Sequence, residues 1–222
     1  MTALARITFE AELKALRESL LRMAAMVEDQ IEAALVALRT RSVDGANKVR
    51  AEDQQLNELF RQIREQCFAV IATQQPVARD LRTLMGVLAI SAELERIGDY
   101  AVRIARMTGT LCELPGEPLQ PEFGIMGELA SQQVHDILDA LIEGDEARAR
   151  EVAARDDEID RLYHRVFDEL ISGLAKGGDE QTALRGVTLM LVAHNLERIA
   201  DRVTNVAEDI VFLETGQVVE LG

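Results

Sequence analysis

The hexapeptide LERIGD at Leu94–Asp99 returns as LERIAD at Leu196–Asp201, 102 residues further along a chain of 222. Five of the six positions are identical, and they include a Glu, an Arg and an Asp that core packing alone would not require. The correspondence extends outwards at an offset of 103, pairing Val49 with Val152, Asp53 with Asp156, Leu56 with Ile159 and Arg82 with Arg185, with a one-residue slip in the last helix of the unit. The chain is thus two versions of one unit, and a fold for one half must serve the other.

That unit reads as three helices. Leu13, Leu16, Leu20, Met23, Val27, Ile31, Ala34, Leu35 and Leu38 recur at threes and fours, the period of an amphipathic helix. Breaks at Ser42–Gly45 and Thr73–Pro76 divide the first half into three helices. Breaks at Glu143–Asp145 and Ala175–Glu180 do the same for the second. Between the halves, LCELPGEPLQPEFG holds three of the four prolines and cannot continue a helix. The expected fold is all-α, six helices in two tandem three-helix bundles. Residues 1–114 form the first, 115–121 the connection and 122–222 the second. Aromatic residues make up only 4% of the chain, so Leu, Ile, Val, Met and Ala must fill the core layers.

A net charge of −15 repels phosphate backbones and argues against direct nucleic-acid binding. Residues 1–110 hold 15 basic and 15 acidic side chains, whereas residues 111–222 hold 9 and 24, so a cation or a basic partner is expected at the second half. Cys67 and Cys112 are too few for a disulfide framework, and the N-terminus lacks the apolar stretch of a secretion signal, which points to the cytoplasm. No apolar run approaches the roughly 18–20 residues of a membrane span, so membrane association is expected only through partners.

The acids carry the chemistry. On an ideal helix Ile90, Leu94, Ile97, Ala101 and Ile104 share one face, and Glu95 with Asp99 fall opposite. In the second half Val192, Leu196, Ile199, Val203, Val206 and Ile210 make the stripe, with Glu197, Asp201, Asn205 and Glu208 along the far side. Asp156 and Asp160 repeat the acid-xxx-acid spacing on the preceding helix, where the first half has Asp53 and Asn57. Like charges four residues apart cost a helix roughly 0.2–0.5 kcal/mol, so salt bridges or a bound cation must compensate. A merely solvated face is the alternative. It has support in the first half, where Arg103 stands four residues after Asp99, and less in the second, where Asn205 takes that position.

Catalytic signatures are missing. None of His135, His164 and His194 follows a Glu by three residues, so the Glu-x-x-His pattern of di-iron bundles is absent. Neither a GxxxxGK loop nor a GxSxG elbow occurs. A helical, acidic, nucleophile-poor chain can bind partners and cations but shows no machinery for turnover, which argues against an enzyme. With no His in the motifs, a metal-assisted hydrolase is the weaker rival. A helical adaptor whose acids only solubilise the bundle is the other.

The tandem LERIGD and LERIAD, the QQPVARDLR entry to the third helix (74–82) and the ending LERIADRVTNVAEDIVFLETG resemble the PhoU family of phosphate-uptake regulators across nearly the whole chain. The resemblance implies two three-helix bundles related by pseudo-two-fold symmetry, with metal ions held on Glu/Asp-xxx-Asp motifs. By that resemblance the ligands are Glu95, Asp99 and Asp53 in the first repeat and Asp156, Asp160, Glu197 and Asp201 in the second. Asn57 departs from the acidic pattern and leaves the first site short of a ligand. All-oxygen donors suit divalent or trivalent ions such as magnesium, manganese, iron or zinc. The resemblance further implies negative regulation of phosphate-starvation signalling and phosphate uptake, exerted with the phosphate ABC transporter and a sensor histidine kinase. A homodimer is expected too.

Overall fold

The computed structural model describes residues 3–116 and 118–222, with side chains from Arg6 onward; Met1, Thr2 and Glu117, assigned above to the first repeat and the connection, lie outside the described residues. The first repeat is α1 (Ala3–Thr40), α2 (Val43–Gln74) and α3 (Arg79–Glu113). The second is α4 (Pro121–Glu143), α5 (Glu146–Ala153), α6 (Asp156–Ala175) and α7 (Glu180–Thr215). There is no strand among the described residues. The six expected helices are present, the fifth built in two segments, α5 and α6, that part at Ala154–Arg155. That interruption is absent from the sequence reading. Neither residue is a helix breaker, but the acidic run Asp156–Glu158 is the pattern of a helix first turn, where carboxylates face the positive end of the dipole.

Local chemistry sets the other corners. Ser42 caps α2 by accepting from the Gly45 N–H at 3.0 Å, and Asp179 caps α7 by accepting from the Thr182 N–H at 2.8 Å. Pro121 opens α4, where its fixed φ and missing N–H suit the first helical position, so the irregular connection ends at Gln120. Arg41, in a left-handed conformation with φ of 51°, donates to the Leu111 and Leu114 carbonyls and ties the α1–α2 corner to the end of α3.

The stripes read from the sequence form one continuous core. Leu16, Met23, Val27 and Ile31 of α1, Ile90, Leu94 and Ile97 of α3, and Val192, Leu196 and Ile199 of α7 are buried. Truncating any large member to Ala would cost about 2–5 kcal/mol through lost burial and the residual cavity. Helices α3 and α7 form the most extensive pair and join the repeats. The internal duplication is visible at the ends of this pair. Arg82 of α3 packs against Gly216 beyond α7, and its counterpart Arg185 of α7 packs against Gly116 beyond α3. No described helix is long and apolar enough to cross a membrane.

Candidate metal centre

The second repeat brings three acids together. One carboxylate oxygen from each of Asp156, Asp160 and Asp201 lies within 4.8 Å of the others. Asp156 sits in the first turn of α6, Asp160 follows one turn later on the same face, and α7 supplies Asp201 from across the helix pair. The interruption before α6 places Asp156 at a helix start. Asp156 Oδ1 and Asp160 Oδ1 are buried without a hydrogen-bond partner. An unpartnered buried acceptor costs about 1–3 kcal/mol, more when charged. Burial first, then the charges of Asp160, Asp201 and Glu197, push the Asp156 carboxyl up to about 6. Asp201 is also raised, by burial and by Glu197, against the opposing pull of Arg198.

Glu197 lies one turn before Asp201 and is 7% exposed, so this part of α7 faces protein and not solvent. Its carboxylate accepts from Arg198 Nε at 2.7 Å, and the same guanidinium reaches Asp201 at 2.6 Å. Arg198 is therefore the counter-ion of this cluster. Looking only four residues beyond Asp201, the sequence reading missed it; the i−3 position was the signal to search. His194 Nδ1 stands 3.5 Å from Glu197 Oε2, with its ring beside Tyr163, so an imidazole does adjoin the motif.

Two residues drawn into the acidic line do not join the cluster. Asn205 Nδ2 donates to Glu93 of α3 at 3.2 Å, and Glu208 accepts from the Leu221 N–H at 2.9 Å. An ideal helix puts them in line with Asp201, but their packing partners differ.

In the first repeat Asp53, Glu95 and Asp99 share a neighbourhood without meeting as closely. Burial, then Asp99, raises Glu95, while burial, then Asp53, raises Asp99. Asp53, however, already accepts from Asn57 Nδ2 at 2.9 Å and from Gln30 Nε2 of α1 at 3.3 Å. Arg103 is not an ion-pair partner of Asp99 among the described residues: its guanidinium lies over the Tyr100 ring at 4.9 Å, and its charge lowers the Asp99 carboxyl only from a distance. Arg96, the counterpart of Arg198, turns to Glu93 at 2.9 Å. Gly98 takes the place of Ala200 in the motif, and a Cβ there would collide with Leu56 and lie 2.9 Å from Gln30 Oε1. The glycine lets α2 and Gln30 close over this region.

The PhoU domain model fits the chain twice, over residues 20–108 and 123–210. A phosphate-specific transport system accessory protein PhoU homolog of Clostridium acetobutylicum is 36% identical over 217 residues, 97% of this chain and 98% of that protein. The Escherichia coli accessory protein PhoU is 33% identical over 209 residues, 94% of this chain and 86% of its own. The crystal structure of PhoU from Pseudomonas aeruginosa superposes with a TM-score of 0.88 at 34% identity, covering 94% of this chain and all of that one. The phosphate transport system regulatory protein PhoU from Streptococcus pneumoniae gives 0.87 at 27% identity, covering 96% of this chain and 100% of its own. With a domain match in each repeat and likeness along nearly the full length in both sequence and fold, the chain belongs to the PhoU family.

Proposed function

We propose that this chain is a cytoplasmic, non-enzymatic regulator of phosphate homeostasis that binds metal ions on its carboxylates and restrains phosphate-starvation signalling and phosphate uptake. It acts with the phosphate ABC transporter and a sensor histidine kinase. The names of its full-length relatives support the transport connection. The observation that carries the metal reading is the Asp156–Asp160–Asp201 cluster with its two unpartnered buried oxygens. Ligands on opposite sides of an ion bound at about 2.0–2.6 Å lie roughly 4–5 Å apart, so a 4.8 Å spread suits a single cation. Oxygen donors alone favour magnesium, manganese or iron over thiolate-loving ions, with zinc less favoured. Glu197 completes the set when the ion displaces Arg198. Asp53, Glu95 and Asp99 form the weaker site, because amides already occupy Asp53.

Deleting the gene tests the regulatory half. Phosphate-starvation genes should stay on in high phosphate, and only when the sensor kinase is present. A response that remains fully phosphate-repressible after deletion would contradict it. Metal analysis of the purified protein separates this reading from a metal-free adaptor. A phosphatase assay with Mn²⁺ tests the hydrolase alternative.

A further inference from the structure

A cavity between the two repeats is lined by none of the residues of the Asp156–Asp160–Asp201 cluster. It measures about 750 Å³ and runs between α1 and α4, with the connection at Pro118–Gln120 closing one end. The two helices are antiparallel here. Glu28 of α1 meets His135 Nδ1 of α4 at 2.7 Å, and further along Leu35 packs down on Gly127. From Glu28 to Arg39 the groove follows α1 for about 16 Å, three helical turns at 1.5 Å per residue.

Its chemistry is divided. Leu38 and Phe123 form an apolar floor, both buried beneath the groove, and Leu119 forms a wall. The rim is acidic: Glu32 and Glu128 line it, and among the described residues neither has an ion-pair partner. Arg39 lines the end opposite Glu28. Gly124 lines the groove. It stands inside α4, where glycine weakens a helix, yet a Cβ there would meet nothing within 4 Å. Packing does not demand this glycine, and a bulky side chain in its place would occupy the groove.

We propose that this groove is a docking site for a basic amphipathic helix of about three turns from a partner protein. Charge complementarity selects the occupant: apolar residues at i, i+3 or i+4 and i+7 enter over Leu38 and Phe123, while Lys or Arg on the flanks meet Glu32 and Glu128. Arg39 takes the negative C-terminal end of the docked helix, which fixes its direction. This surface is distinct from the carboxylate cluster, and its test needs no metal.

The test uses a fluorescein-labelled 14-residue peptide with leucine at every third or fourth position and lysine between, titrated in EDTA against the full chain by fluorescence anisotropy. The parent binds the lysine peptide and not a version with glutamate in place of lysine. Glu32→Gln with Glu128→Gln weakens binding at least about tenfold, and so does Gly124→Phe by filling the groove. Gly124→Ala binds nearly as the parent does, because a methyl group barely enters the space. Asp168→Asn with Glu169→Gln removes the same charge from exposed sites on α6 and changes binding less than about twofold. Circular dichroism melts verify that each variant is folded. Absence of binding by the parent, undiminished binding by Gly124→Phe, or equal weakening by the two charge-matched pairs would overturn the proposal.

Discussion

The Arg198 guanidinium stands 2.6 Å from the Asp201 carboxylate, one turn back along α7, and also holds Glu197. It gives the second repeat a built-in counter-ion that Arg96, turned to Glu93, does not give the first. A metal entering the cluster competes with this guanidinium. Without metal, Arg198→Gln should lower stability by about 1.5–3 kcal/mol, the range for hydrogen bonds to charged groups. With saturating Mn²⁺ or Mg²⁺ the deficit should shrink, because the cation replaces the lost charge. Thermal melts with and without EDTA check this; an equal deficit in both conditions contradicts it.

Gly98 and Ala200 occupy the same motif position, yet only the glycine is forced by packing. Gly98→Ala should overpack α3 against Leu56 and Gln30 at a cost of about 1–3 kcal/mol. It should also disturb the Gln30–Asp53 hydrogen bond. Denaturant melts measure the cost, and an unchanged or raised midpoint would contradict the close approach.

Asp209, on α7, is pushed up to about 7, by burial and then by Glu93 and Glu208. The unfolded carboxyl titrates near 3.8, so both states are protonated at low pH. Between about pH 4 and 7 the unfolded chain releases the proton while the native one keeps it, and stability falls as pH rises through that window. Asp209→Asn removes the ionisation and should melt on the order of 10 °C above the parent at pH 8, with the gap closing towards pH 4. A gap independent of pH contradicts the assignment.

Burial pushes the Cys67 thiol up to about 11, whereas Cys112 is half-buried and its Sγ lies 3.1 Å from the Arg41 carbonyl. Labelling of the native protein with a thiol reagent at pH 8 should show one accessible cysteine and one that reacts only on unfolding. Substituting Cys112 should remove the fast phase. Two fast phases would contradict the burial of Cys67.

The helical core was legible because a 3.6-residue period survives in the sequence: Ile90, Leu94 and Ile97 are buried where the stripe places them. The duplication was legible because Arg82 and Arg185 recur for the same packing reason at opposite ends of the α3–α7 pair. Neighbours supplied by other helices were not legible. Asn205 follows Asp201 on an ideal helix, but α3 presents Glu93 to it, and no pattern along α7 alone reveals that partner. The same holds for Gln30, which reaches Asp53 from α1. The separation of α5 from α6 escaped because Ala154 and Arg155 favour helix, while Arg155 is held at 2.7 Å by Asp136 on α4, a contact remote in sequence.

The central claim is that the two repeats differ in their capacity for metal, and paired double mutants test it most directly. The melting temperature and metal content of the parent, of Asp160→Asn with Asp201→Asn, and of Asp53→Asn with Asp99→Asn are measured with and without added cation. A ligand at 100 times its Kd stabilises the native state by about 2.7 kcal/mol, so the metal-dependent rise is readily measured. The second-repeat pair should lose most of that rise and most of the bound metal, and the first-repeat pair should keep most of both. Equal losses in the two double mutants, or no metal-dependent stabilisation of the parent with any tested cation, would contradict the account.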